Sequence, residues 1–394
     1  MQHEKKQMRL PIKPYLFARF EGFFSLTACI IDMQKFSIKS GKGKARTGTL
    51  NTAHGKIKTP FFMPVATKAA VKLLSNREIL ETNTDCMICN SFILSMKPGV
   101  EVISKHGGLH KFMNWKKSLF TDSGGFQVLS KKFCLNLSEE GVTFRNPFTG
   151  KSMLFTPEKS MEIQTSLGID VAMCLDDVPV AGSTETRVKE AVERTTRWAQ
   201  RCFDAHNNKK QMLFGICQGG INEKLRKQSA EEISAIGFDG IAVGGLAIGE
   251  PVKGMFKAIE TSLKIIPEEK PRYLMGVGSV KEMVKAIALG VDCFDSRFPT
   301  RTARHGRAFT SERNINIDSA QYKNDLKPLD KDCKCFVCQS YSKAYIHHLF
   351  RTKEENAGKY LGYHNIYFVQ NTLAECREAI ADGTFTITKI LKHA

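Results

Sequence analysis

From residue 59 onward, short apolar runs alternate with longer amphipathic ones along the chain. The short runs are rich in β-branched or aromatic residues, and each ends in Gly, Asp, Asn or Gln. They cover 61–65, 86–89, 118–121, 171–175, 213–217, 241–243, 273–277 and 293–294. Between them, 71–80, 158–167, 184–205, 223–236 and 280–288 carry apolar residues at helical spacing. Strand–helix alternation predicts parallel βαβ units. Eight such units over roughly 250 residues predict an α/β fold of the (β/α)8 TIM-barrel type. A doubly wound sheet is the alternative, but it needs fewer units.

The ends of the runs are polar. In order they read Val65-Ala66-Thr67, Asn90-Ser91, Asp122-Ser123-Gly124-Gly125, Asp176-Asp177, Gln218-Gly219-Gly220, Gly244-Gly245-Leu246, Gly276-Val277-Gly278 and Asp295-Ser296-Arg297. In a barrel these ends form the catalytic face. Glycines there let a flat ligand approach the main chain. Asp122 and Asp295 each close an apolar run and lead into glycines or basic residues. Two acids so placed can divide nucleophile and acid/base roles in glycosyl transfer. Taken singly, each also fits a strand-end turn or helix N-cap.

Charge changes the picture. With 58 Lys+Arg against 40 Asp+Glu, the net charge is +18. Such a surplus points to a polyanionic partner, most simply nucleic acid, although a uniformly basic surface is the plainer alternative. Arg297, Arg301, Arg304, His305 and Arg307 directly follow the eighth run, and Lys323, Lys327, Lys331 and Lys334 come next. A phosphate-tracking groove beside a catalytic mouth needs such a patch; a solvated charged loop would look the same.

The twelve cysteines do not form a disulfide framework. Nine are scattered singly, which fits a reducing compartment such as the cytoplasm. Three crowd into Cys333, Cys335 and Cys338, and with His364 they form a donor set for one structural Zn2+. His347 and His348 compete for the fourth position. No run reaches the 18 apolar residues of a membrane helix. Residues 1–32 read as an extension, with a weak leader-like apolar stretch at 23–31 and an ordinary start at Met33. The expected division is extension 1–32, catalytic barrel 33–325 and zinc-binding subdomain 326–394.

Several motifs together resemble the tRNA-guanine transglycosylase (queuine tRNA-ribosyltransferase) family, in its bacterial-type catalytic form. They are Lys44-Ala45-Arg46-Thr47-Gly48, Asp122-Ser123-Gly124-Gly125-Phe126-Gln127, Gln218-Gly219-Gly220, Ala242-Val243-Gly244-Gly245-Leu246, Tyr273-Leu274-Met275-Gly276-Val277-Gly278, Phe294-Asp295 with Pro299-Thr300-Arg301, and the cysteine cluster. The resemblance runs from about Phe36 to residue 385. It implies a zinc-bearing barrel that exchanges guanine at the wobble position of G-U-N anticodon tRNAs for a 7-deazaguanine base. It makes Asp295 the nucleophile and Asp122 the general acid/base. Asp176, Gln218, Gly245 and Leu246 would read the base edge, Phe126 and Met275 would sandwich the ring, and Asn90 would orient Asp295. Arg297, Arg301, Arg304 and Arg307 would hold tRNA. Tyr341, Tyr345 and His348, on a helix expected at 340–350, would contact a second copy in a homodimer.

The chain departs from the family pattern in places. Asn90-Ser91-Phe92-Ile93-Leu94 lacks the family's usual histidine, and Arg297-Phe298 replace small apolar residues of bacterial members. Val178, after the acidic pair, is as in queuine users, whereas Ile248 is bulky and bacterial-like. Steric exclusion is harder to evade than a lost contact, which favours 7-aminomethyl-7-deazaguanine (preQ1) over queuine. Other readings are a non-catalytic partner subunit of the same fold, an archaeal-type enzyme acting on the tRNA D-loop, and a barrel glycosidase. The first is expected to lose the nucleophile, the second to carry extra C-terminal RNA-binding domains, and the third gives no reason for the charge.

Overall fold

The computed structural model describes residues 34–130, 132–180 and 182–391. The expected extension 1–32 and the start at Met33 lie outside the described residues. All eight short runs are strands: β1 (Phe61–Pro64), β2 (Cys86–Asn90), β3 (Ser118–Asp122), β4 (Val171–Met173), β5 (Met212–Cys217), β6 (Gly240–Val243), β7 (Arg272–Leu274) and β8 (Cys293–Ser296). They form one parallel sheet in the order β1-β8-β7-β6-β5-β4-β3-β2. A parallel bridge between Val65 and Ile88 joins the two edges, and Ala66 N–H donates to Ile88 O at 2.7 Å. The sheet is thereby a barrel. Side chains fill its interior: Phe120 packs edge-on against Phe214 and Tyr273, with centroids 5.6 and 6.2 Å apart.

Local signals set the helix boundaries. Pro157–Leu167 starts where Thr156 accepts from Lys159 N–H and ends at Gly168 in the left-handed region. Glu185–Ala205 and Glu223–Ile236 start the same way at Thr184 and Asn222. The helix expected at 71–80 begins only at Asn76, because Ser75 and Glu78 form a capping box that sets its first turn. Val71 and Leu74 are buried in the loop before it.

Two three-stranded antiparallel sheets were not anticipated. One is Cys134–Leu137, Val142–Arg145 and Ser152–Phe155, inserted after β3. The other is Phe36–Lys42, Ala45–Thr52 and Gly55–Thr59, at the N-terminal end of the barrel. It accounts for the motif at 44–48 structurally: Arg46 is buried and its Nε donates to Asp292 Oδ1 at 3.0 Å, just before β8. A second staple lies nearby. Asp170 accepts from His54 Nδ1 at 2.9 Å and faces His110 Nε2 at 3.1 Å, and the two imidazole rings stack 3.5 Å apart at 15°. Parallel rings send their nitrogens side by side to one carboxylate, which pins the 52–55 turn to the barrel floor.

The segment after β8 is not separate from the barrel. Helix Glu355–Ala381 packs beside helix Val280–Ala288 and against β1. Its Gln370 Nε2 donates to Phe62 O and Thr84 Oγ1, both at 3.0 Å. The region expected as a zinc subdomain, 326–394, therefore contains the helix that packs against the barrel, and the described residues from 34 onward form one compact unit.

Candidate active site

The C-terminal strand ends place nearly every expected site residue around one mouth. Asn90 and Asp122 end adjacent strands in register, Asp176 and Gln218 follow β4 and β5, and Asp295 lies within β8. Gly245-Leu246 follow β6 and Met275 follows β7. Phe126 stands exposed on the rim after β3, and Met275 is half-buried. Asp122 and Asp295 lie deep in the protein yet keep some surface open to the mouth, whereas Asp176 and Gln218 are closed off beneath it.

The two catalytic candidates differ in their hydrogen bonds. Asp295 Oδ1 accepts from Tyr273 Oη–H at 2.6 Å and from Gly276 N–H at 2.8 Å. Burial raises the Asp295 pKa, and these donors oppose the rise. At Asp122 the Gly124 main chain opposes the rise, but less effectively. Burial, with the charge of Asp295 adding to it, pushes Asp122 up to about 8. The Asn90 amide lies close enough to oppose that shift but outside hydrogen-bond geometry, so Asn90 Nδ2 and Asp122 Oδ1 both remain without a formed bond. Asn90 was expected to orient Asp295. It stands beside Asp122 instead, and its own Oδ1 caps the following turn by accepting from Ile93 N–H at 2.7 Å.

The acidic pair splits its roles. Asp177 is fully buried and held by Arg187 and Arg194, with Arg187 Nη1 at 2.8 Å. Asp176 has no cationic partner among the described residues. Burial pushes it up to about 7, opposed by Gln218 and helped by the charge of Asp177. Gln218 Nε2 donates to Asp176 Oδ2 at 2.7 Å, and Gln218 Oε1 is buried with no partner. Buried polar atoms are normally satisfied. Here Asn90 Nδ2, Asp122 Oδ1 and Gln218 Oε1 are exceptions gathered at one mouth, where a polar ligand edge would meet them. The glycines are required sterically. A Cβ on Gly125 would stand 2.6 Å from Asp176 Oδ1, and one on Gly245, at φ +65°, would stand 2.1 Å from Gln218 Oε1.

The cysteine cluster assembles as expected. Sγ of Cys333, Cys335 and Cys338 lie 3.7, 3.4 and 3.3 Å from His364 Nδ1. Tetrahedral zinc with bonds of about 2.3 Å to sulfur and 2.0 Å to nitrogen imposes S···N separations of about 3.5 Å. The four donors can therefore hold one metal ion. His364 Nε2 lies 2.6 Å from Phe309 O, so an Nε2–H donates there and leaves the Nδ1 lone pair for the ion. His364 is buried within helix Glu355–Ala381. The donor atoms of Cys333, Cys335, Cys338 and His364 lie within 4.8 Å of one another, and neither His347 nor His348 belongs to the group.

A sequence profile described as "Queuine tRNA-ribosyltransferase" matches residues 40–390. The chain belongs to the queuine tRNA-ribosyltransferase family. Relatives bearing that name include one from Fusobacterium nucleatum, 45% identical over 353 residues, covering 89% of this chain and 95% of the relative. Another, from Thermotoga neapolitana, is 46% identical over 351 residues, covering 89% and 95%. A third, from Francisella tularensis subsp. novicida, is 45% identical over 353 residues, covering 90% and 96%.

As a member of this family, the chain carries one site residue to which the sequence reading assigned no role. Tyr273 lies inside the quoted 273–278 motif and holds Asp295. The available signal was a tyrosine in a buried strand, whose hydroxyl needs a partner. The four arginines after β8 form no ion pair with a carboxylate among the described residues. Arg297, Arg301 and Arg307 are exposed; Arg304 is partly buried and donates to Thr300 O at 2.9 Å. Val178 and Ile248 are both half-buried at the rim, and Ile248 N–H bonds Glu250 Oε2 at 3.0 Å. The helix expected at 340–350 is broken. Tyr341 lies between helices Phe336–Ser340 and Lys343–Arg351, and its ring stacks on Tyr360 at 4.6 Å and lies 5.2 Å from that of Tyr345.

Proposed function

We propose that this protein is a tRNA-guanine transglycosylase that exchanges guanine at the wobble position of G-U-N anticodon tRNAs for a 7-deazaguanine base, through a covalent bond to Asp295. The observation that carries this reading is the asymmetry of two acids at one mouth. Asp295 receives two hydrogen bonds that stabilise its carboxylate, while at Asp122 burial and the charge of Asp295 outweigh the opposing Asn90 and Gly124 donors and keep its proton on at neutral pH.

Both bonds to Asp295 fall on Oδ1, which leaves Oδ2 to attack ribose C1′. As the C1′–N9 bond breaks, Asp122 gives its proton to the departing guanine. The incoming base then loses a proton to Asp122 and attacks C1′, displacing Asp295. Two inversions preserve the β-configuration. Asp176 accepts from the base N1–H and exocyclic amine, Gln218 donates to O6, and main-chain groups of Gly245 and Leu246 read the rest. Phe126 and Met275 flank the ring. The target nucleotide leaves its stack to enter, and Arg297, Arg301, Arg304 and Arg307 neutralise nearby phosphates. The ion in the Cys3His cluster is zinc, in a structural role. The half-exposed cluster of Tyr341, Tyr345 and Tyr360 is the homodimer contact, and the enzyme works in the cytoplasm.

Base exchange on an unmodified G-U-N tRNA tests the reading, with radiolabelled guanine, preQ1 and queuine offered separately. Guanine and preQ1 are expected to enter and queuine to be refused at Ile248. Queuine entry would overturn the steric argument, and entry of no base would overturn the activity.

A pH profile tests the roles of the acids. Base reading needs Asp176 ionised, above about 7, and leaving-group departure needs Asp122 protonated, below about 8. The expected kcat/KM curve is a narrow bell between these values. The same shift acts on stability. Asp122 holds its proton more tightly folded than unfolded, so its contribution is full below 3.8 and is lost as pH rises through about 8. Asp122→Asn is therefore expected to raise Tm in alkaline buffer and to leave it nearly unchanged in acid, while exchange is lost. A Tm difference independent of pH would contradict the buried-acid assignment.

A further inference from the structure

Helix Glu223–Ile236 carries a guanidinium whose hydrogen bonds all go to main-chain carbonyls. Arg226 is wholly buried. Its Nε and Nη2 donate to Gly220 O at 3.2 and 2.7 Å, and its Nη1 donates to both Cys217 O and Gly244 O at 3.0 Å. Burying a cation with no carboxylate in contact among the described residues is costly, and packing alone would call for an apolar side chain here.

The positions of the three carbonyls explain the cost. Cys217 immediately precedes Gln218, Gly220 follows it by two, and Gly244 immediately precedes Gly245. One planar fork thus grips the β5 exit on both sides of Gln218 and ties it to the β6 exit. One turn further along the helix, Ser229 Oγ accepts the Gln218 N–H at 2.8 Å. The Gln218 main chain is therefore held from below by two side chains of one helix, and its carboxamide is left free to face Asp176.

We propose that Arg226 is a positioning residue that fixes the spacing between Gln218 and the Gly245–Leu246 main chain and so sets the affinity for the base. This rests on the reading that those elements bind a guanine-like ring. Rigid donors spread over a plane can hold two loops in register, and a lysine keeps the charge but not the fork.

The test is steady-state exchange with guanine as the varied base, with tRNA varied in a separate series. Guanine exchange by the parent protein, measured first, checks the underlying reading by itself. Arg226→Lys is expected to raise KM for guanine about tenfold while kcat and KM for tRNA stay within about twofold. Ser229→Ala, which removes only one hydroxyl, is expected to raise KM for guanine by a smaller factor, and it keeps the test informative if the lysine variant folds poorly. Unchanged KM for guanine in Ser229→Ala and in any soluble Arg226→Lys, whatever their Tm, would overturn the proposal. So would an equal loss in all three kinetic parameters, which marks a purely structural role.

Discussion

Asp295→Asn is expected to lower base exchange by about 10⁴-fold or more, equivalent to about 5.5 kcal/mol of lost transition-state stabilisation. The amide cannot form the covalent bond to C1′, so the step fails at its first stage. The fold should survive. Asn has the same shape, its Oδ1 can still accept from Tyr273 and Gly276, and the burial that disfavours a charge at this position no longer applies. Affinity for tRNA should stay within a few-fold, because phosphate contacts rather than the nucleophile dominate it. Three measurements check this: radiolabelled guanine incorporation, filter binding of tRNA, and a denaturing gel on which the protein–tRNA adduct of the parent disappears. Substantial turnover by Asp295→Asn would remove Asp295 from the nucleophile's role and with it the double displacement.

Cys335→Ala is expected to drop the bound metal from one ion per chain to near zero and to lower Tm by on the order of 10 °C. With a metal ion bound, three thiolates and His364 would tie the 333–338 loop to the long helix Glu355–Ala381, adding to the burial of Val337 and the Phe336 ring contacts with Tyr360 and Tyr363. The damage should reach the catalytic face along a defined route. His364 Nε2–H bonds Phe309 O, and Asn365 Nδ2 donates to Pro299 O and Arg307 O, both at 3.0 Å. These contacts anchor the segment that carries Arg297, Arg301, Arg304 and Arg307. KM for tRNA is therefore expected to rise before kcat falls. Metal content by mass spectrometry, calorimetric Tm and tRNA kinetics measure the three effects. A metal-free variant with the parent's Tm and KM would show that the cluster is dispensable.

Much of the site was legible in the sequence because it sits on local signals. A strand end followed by glycine or by an acidic or basic residue is marked within a few positions, so Asp122, Asp176, Gln218, Gly245 and Asp295 stand out as candidates, and the structure brings them to one end of the barrel. The tight spacing of Cys333, Cys335 and Cys338 marked the metal site in the same way. Pairings were less legible. Asn90 stands beside Asp122 because strand order in a closed barrel makes β2 the neighbour of β3, while Asp295 lies on β8, between β1 and β7. Tyr273 was passed over because nothing within its own strand shows that its hydroxyl ends 2.6 Å from Asp295.

The sequence by itself determined the eight strands, four of the helices between them and the crowding of three thiols that could hold a metal ion. Each depends on periodicity, capping or turn residues that act over one or two turns of chain. Only the tertiary structure decided which groups meet across long separations. Arg46 with Asp292, Gln370 with Phe62, Arg226 with Gly244 and His364 with the thiols are all pairings of this kind. A buried polar group must find a partner, but its neighbours in sequence do not say which one. That is settled only when the barrel closes and limits which atoms come within hydrogen-bonding reach.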